Sequence, residues 1–178
     1  MPVPDADAPE EIRWQGKFIV AKQRGRWEYV SRARGIRAAA ILAIDEGHVL
    51  LVEQYRVPLG RACLELPAGL IGDEHEEESD ADTAARELEE ESGYRAATIE
   101  PLGEFWSSPG MVSESFTLMR ASGLTKVSEG GGIEGENITV HRVPLSDLAG
   151  FVEACRARGC AVDVKLLLLL GAGFLADA

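Results

Sequence analysis

Short runs of apolar residues, broken by polar turns, occupy most of the chain; this is the pattern of strands buried on one or both faces. Residues 12–20 and 27–31 are two such runs, separated by a basic, glycine-containing turn over residues 22–26. They predict a small N-terminal sheet behind a loosely held acidic arm over residues 1–10. Residues 36–44 and 48–55 predict two core strands, because Asp45-Glu46-Gly47 between them has the chemistry of a tight hairpin turn. Residues 63–67 predict a short strand running into Ala68-Gly69, followed by an acidic loop over residues 72–79. A helix then runs to Ser92, with Asp80 or Asp82 as its cap and Gly93 as its stop. Strands are expected over residues 97–105, 115–121 and 138–143. Ser107-Ser108-Pro109-Gly110 reads as a loop, and the Gly- and Glu-rich residues 127–137 as a mobile one. Two helices, over residues 146–158 and 162–176, close the chain. The five leucines from Leu166 to Leu170 belong to the second. That apolar stretch falls short of the ~20 residues that cross a bilayer, so it reads as a buried helix. Strands interleaved with helices predict an α/β fold with helices on both faces of a mixed sheet.

Size and charge narrow this picture. The chain has 178 residues, enough for one domain with a small extension, and its 46% apolar content can fill a core. The division expected is an N-terminal arm and small antiparallel sheet over residues 1–34, then the main domain over residues 35–178. A net charge of −12 argues against broad binding to nucleic acid or to an anionic membrane, both of which favour basic patches. Cys63, Cys155 and Cys160 have no zinc spacing and read as free thiols of a reducing cytoplasm. The acidic N-terminus does not read as a signal peptide.

The candidate chemistry is concentrated in residues 72–94, GDEHEEESDADTAARELEEESGY. On a helix Glu87, Glu90 and Glu91 stand at i, i+3 and i+4, so their carboxylates share a face and repel. A divalent cation is the simplest offset, since hard cations such as Mg²⁺ bind carboxylate oxygens together with substrate phosphates. Gly72, Glu78, Arg86, Glu87, Leu88, Glu90, Glu91, Gly93 and Tyr94 fill the Nudix hydrolase signature in register, and on them the chain resembles that superfamily. The resemblance implies an α/β/α sandwich with a mixed sheet.

It also implies roles. Glu87 and Glu91, with Glu90 as a third, would hold Mg²⁺ or Mn²⁺, joined by the backbone carbonyl of Ala68. Arg86 would pair with a signature glutamate, and Glu78 would brace the loop. Outside the signature, Gln54-Tyr55-Arg56, Leu64-Glu65-Leu66-Pro67-Ala68-Gly69, Ser108-Pro109-Gly110 and Ile138-Thr139-Val140-His141 resemble ADP-ribose pyrophosphatases and related nucleotide-sugar pyrophosphatases. By that analogy Arg56 reaches a substrate phosphate, and Glu65 supports the metal site or forms a salt bridge. Glu114 lies near the terminal ribose, with Met111 on the same loop. Glu136, or second to it Glu134, is the general base or the final metal ligand, with Glu90 also counted among the catalytic glutamates. Trp27 and Glu28 contact the nucleotide from an N-terminal segment exchanged within a homodimer.

The activity implied is Mg²⁺-dependent hydrolysis of ADP-ribose to AMP and ribose 5-phosphate. Alternatives are another nucleoside diphosphate sugar such as GDP-mannose, or a non-catalytic nucleotide sensor, which the intact signature glutamates disfavour. One departure stands out. Relatives take the signature glycine from Pro-Ala-Gly, here Gly69, and counted from there the loop is three residues long of the pattern. Either the loop carries an insertion or Gly72 has replaced Gly69 as the turn glycine.

Overall fold

A computed structural model describes residues 3–72 and 79–170. The chain begins with an antiparallel three-stranded sheet of β1 (Glu10–Gln15), β2 (Ile19–Arg24) and β3 (Trp27–Arg32). Residues 12–20, expected as one strand, are therefore two. The Gly16 N–H donates to the Ile19 carbonyl at 2.9 Å and turns the chain back. Residue 10 is already in the sheet, where Glu10 pairs with Lys22 at 2.9 Å and Arg24 at 3.3 Å, so the acidic arm is tied down near its end.

The main body follows as β4 (Arg37–Asp45), β5 (His48–Arg56), β6 (Arg61–Glu65), β7 (Ala68–Ile71) and α1 (Asp80–Ser92), then β8 (Tyr94–Arg95), β9 (Thr98–Trp106) and β10 (Ser115–Ser122). It ends with β11 (Thr125–Lys126), β12 (Thr139–Pro144), α2 (Leu148–Ala157) and β13 (Ala161–Val162). The eight-stranded central sheet runs β13-β6-β5-β4-β10-β9, with β12 also on β5 and β7 also on β4. The β4–β10 and β6–β13 pairs are parallel and the others antiparallel, so the sheet is mixed. Asp45 pairs with His48 across the first hairpin. Its two turn residues, Glu46 and Gly47, both have positive φ, which matches the right-handed twist of the strands they join.

Alternation along β4 divides the interior into two cores. Ala39, Ile41 and Ala43 pack with Ala84 and Leu88 of α1, and Ala40 and Leu42 pack with Leu148 and Cys155 of α2. Each fully buried Leu or Ile in these layers contributes roughly 1.5–3 kcal/mol. Helices thus cover both faces of the sheet, as expected.

Two helix details differ from expectation. The cap of α1 is Ser79, whose Oγ accepts from the Asp82 N–H at 3.2 Å, while Asp80 and Asp82 lie in the first turn and favour the positive end of the helix dipole. The C-terminal helix expected over residues 162–176 is a tighter, three-residue-per-turn helix at Val164–Leu170, and residues 171–176 lie outside the described residues. That pitch puts Leu166 and Leu169 on one face, buried in the α2-side core, while Leu167 is exposed.

Candidate active site

The signature glutamates sit on α1 where it crosses β7. Gly69 lets the two approach: a Cβ there would lie 2.0 Å from Glu87 Cγ and 2.4 Å from its Cδ. Gly72 has φ +81° and turns the chain out of β7. The two glycines therefore divide the work, with Gly69 making room for the helix and Gly72 serving as the turn residue. Glu78 and His75 lie outside the described residues.

Around this crossing is a cleft of about 680 Å³. Ala68, Glu87, Glu90, Glu91 and Glu136 line it, together with Arg56, Glu65 and Glu114. Glu91 is almost fully buried, and its Oε2 accepts the Ala68 N–H at 2.9 Å. Burial pushes the Glu91 carboxyl up to about 8; the Ala68 N–H opposes this, and the neighbouring Glu87 and Glu136 carboxylates add to it. Glu87 is raised as well, chiefly by burial and against the pull of Arg86. Arg86 bridges Glu87 at 3.0 Å and Glu90 at 3.2 Å, the pairing expected of it.

Among the described residues no three His, Cys, Asp or Glu side chains are already arranged as a metal cage. The donors nevertheless suit a hard divalent cation that keeps water and phosphate ligands of its own. All are carboxylate oxygens, and Glu91 is a buried acid that makes no salt bridge among the described residues. Glu87, Glu90 and Glu91 could hold such an ion.

The residues expected to touch substrate divide into two groups. Arg56 is in the cleft, held by Glu65 through two hydrogen bonds of 2.7 and 2.9 Å that fix its guanidinium plane. Glu65 thus has the salt-bridge role. Glu114 is in the cleft too and accepts from Arg32 at 2.5 Å. Trp27, Glu28 and Met111 are exposed and are not among the cleft's lining residues. The outer position of β3 puts Trp27 and Glu28 there, and Met111 uses its carbonyl to accept from the Val30 N–H at 3.0 Å. Of the two late glutamates only Glu136 lines the cleft; Glu134 is exposed. The loop around them is docked and not loose. Val127 N–H donates to the Gly93 carbonyl at 2.8 Å, Gly131 N–H to that of Glu91 at 2.9 Å, and Gly132 N–H to that of Glu90 at 3.0 Å.

Arg32 and Lys165 also line the cleft and were missed in the sequence. Lys165 reaches it from the last helical segment, pairs with Asp163 at 2.7 Å and lies over the Phe116 ring at 5.4 Å. No local pattern announces either residue.

A mixed sheet between helices, with a glutamate-bearing helix laid across a glycine strand, defines the class. The sequence profile described as NUDIX domain matches residues 34–157, and the chain belongs to the Nudix family. It is 39% identical over 119 residues to an ADP-ribose pyrophosphatase of Bacillus subtilis, covering 66% of this chain and 63% of that enzyme, so it spans under two thirds of that relative's length. It is 35% identical over 147 residues to a GDP-mannose pyrophosphatase of Cronobacter sakazakii, covering 77% of this chain and 72% of that protein. A crystal structure of an ADP compounds hydrolase superposes with a TM-score of 0.70 over 96% of this chain and 94% of the other at 23% identity, a likeness of fold.

Proposed function

We propose that the protein is a Mg²⁺-dependent pyrophosphatase of nucleoside diphosphate sugars, with ADP-ribose as substrate, split by water into AMP and ribose 5-phosphate. The observation that carries this reading is the convergence of Glu87, Glu90, Glu91 and Glu136 on one cleft that Arg56 and Lys165 also line. When bound there, Mg²⁺ or Mn²⁺ supplies neutralisation of the diphosphate oxygens and a more acidic water. The chain's own side chains do the rest. Glu87, Glu90 and Glu91 would hold the ion, with the backbone carbonyl of Ala68 as a further ligand. Arg56, locked by Glu65, grips phosphate oxygens, and Lys165 adds a second positive charge. Glu136 takes the proton of the attacking water as its oxygen bonds to phosphorus and the bridging P–O bond breaks. Arg32 and Glu114, paired with each other in the same cleft, would read the ribose hydroxyls.

GDP-mannose is the second candidate, since a relative named for it matches 77% of this chain. Exposed Ile12, Trp14, Phe18 and Trp27 on the N-terminal sheet support a homodimer. Three free cysteines fit a reducing, cytoplasmic setting. No helix among the described residues is long and apolar enough to cross a membrane.

The test is turnover of ADP-ribose, GDP-mannose and other nucleotide sugars with Mg²⁺, in the native protein and in Glu91→Gln. ADP-ribose is expected to be cleaved fastest, and Glu91→Gln to lose several orders of magnitude in kcat with its fold intact. Near-normal turnover in Glu91→Gln overturns the metal assignment; no turnover of any nucleotide sugar overturns the reading as a whole.

A further inference from the structure

The last turn of a helix leaves carbonyls without partners. At the end of α1 the Gly93 N–H takes only the Glu89 carbonyl, at 2.9 Å. The carbonyls of Glu90 and Glu91 are taken instead by Gly132 and Gly131, from a loop distant in sequence. These are the backbones of two of the three signature glutamates. Two residues further along α1's exit, Val127 and Ser128 both donate to the Gly93 carbonyl, at 2.8 and 3.1 Å.

The same loop carries Glu136 and folds tightly back on itself. Ile138 N–H donates to the Gly131 carbonyl at 3.2 Å, Glu136 N–H to that of Ile133 at 3.1 Å, and Ile133 N–H to Glu136 Oε2 at 2.9 Å. Gln54 of β5 holds the Glu136 carbonyl from the other side at 3.4 Å.

Positive φ favours glycine at two of these positions, and a Cβ at either would crowd its neighbours. Gly130 has φ +66°, and a Cβ there would lie 2.4 Å from the Ser92 carbonyl carbon, 2.6 Å from the Gly93 nitrogen and 2.7 Å from the Glu91 oxygen, all backbone atoms of the helix end. Gly132 has φ +76°, and a Cβ there would lie 2.2 Å from Glu136 Oε2. Gly135 of the same loop has open space around it and Gly131 only an ordinary contact at 3.6 Å, so the close approach belongs to Gly130 and Gly132.

We propose that Gly130-Gly131-Gly132 is a positioning element: it straps the Glu136 loop to the backbone of Glu90 and Glu91, so that Glu136 keeps a fixed place relative to the signature carboxylates. The glycines touch no substrate and act through Glu136. This rests on the reading of Glu136 as the general base. Reacting groups displaced by about 1 Å can lose ~10²-fold in rate, so a strap that sets their separation controls kcat.

The test is a double-mutant cycle on ADP-ribose hydrolysis with Mg²⁺, or on whichever nucleotide sugar turns over fastest. Gly130→Ala and Gly132→Ala are each made in the native protein and in Glu136→Gln. Gly132→Ala meets side-chain atoms only, so it keeps the comparison alive if Gly130→Ala does not fold; melting curves check both. Each glycine variant is expected to lower kcat by ~10²-fold with KM changed less than about threefold, and to add less than about twofold in the Glu136→Gln background. An equal fall in both backgrounds overturns the proposal, because the glycines then act on the fold at large. Native kcat in both glycine variants, beside an impaired Glu136→Gln, overturns the strap alone. Native kcat in Glu136→Gln itself overturns the base assignment, and the strap with it.

Discussion

Glu91 is the residue at which stability and function pull apart. Its carboxyl, raised to about 8 by burial and by Glu87 and Glu136, prefers to be protonated in the folded, metal-free protein. A raised folded pKa gives a contribution that is complete below the ordinary value of 4.5 and is lost as pH rises through about 8. A tenfold change in proton affinity is worth about 1.4 kcal/mol, so the loss is bounded at about 5 kcal/mol. Glu53 works in the opposite sense. Arg158, then His141, hold it below its ordinary value, and its contribution is lost as pH falls. Between pH 5 and 8.5 the two windows separate. With chelator present, the native protein's melting temperature is expected to fall across that window relative to Glu91→Gln, and added Mg²⁺ is expected to restore it. Parallel curves for the two proteins would show that Glu91 is not the strained acid.

At the scale of elements, the crossing of α1 on β7 decides whether the glutamates can converge. Gly69 lacks positive φ, so alanine is compatible with its backbone, but the added methyl occupies the space of the Glu87 side chain. Gly69→Ala is expected to keep the fold, displace the Glu87 carboxylate and raise the Mg²⁺ concentration for half-maximal rate by ~10–100-fold. A Mg²⁺ titration of the rate checks this, and an unchanged midpoint removes Glu87 from the ligand set. These elements also show what could be read from the chain. The hairpin at Glu46-Gly47 and the stop of α1 at Gly93 depend on local chemistry and lay open in the sequence. So did the side-by-side glutamates of α1, since helical spacing alone puts them on one face. The break at Gly16-Lys17-Phe18 carries no paired turn signal, so two strands look like one. The docking of residues 127–132 answers carbonyls on another element, and a glycine run with distant partners looks the same as a mobile one. Lys165 and Arg32 reach the cleft from opposite ends of the chain, a meeting that only the folded sheet brings about.

For the whole molecule, the uneven spread of charge bears on assembly. Residues 13–37 hold eight basic residues and one acidic one, Glu28, a local balance of +7, so the rest of the chain carries −12 − 7 = −19. The basic part overlaps the N-terminal sheet, whose residues 10–32 hold six basic and three acidic side chains and which also exposes Trp14 by 57%, Phe18 by 50% and Trp27 by 55%. A three-stranded sheet of this size gains little from its own core and needs a surface to cover it. An acidic body is the complementary surface, and a second copy of the chain supplies one. That arrangement would also bring Trp27 and Glu28, remote from the cleft of their own chain, towards a neighbour's. The protein is therefore expected to sediment at twice its 19.2 kDa chain mass. Replacing Trp14 and Trp27 together by serine is expected to shift it towards monomer, and KM to rise more than kcat falls, because Glu87, Glu90, Glu91 and Glu136 line a cleft within one chain. High salt is expected to weaken this association, since exposed charges are screened over about 10 Å at 0.1 M. A native protein that sediments as a monomer at micromolar concentration and low salt would rule out this mode of assembly, and would leave Trp27 without a route to the nucleotide.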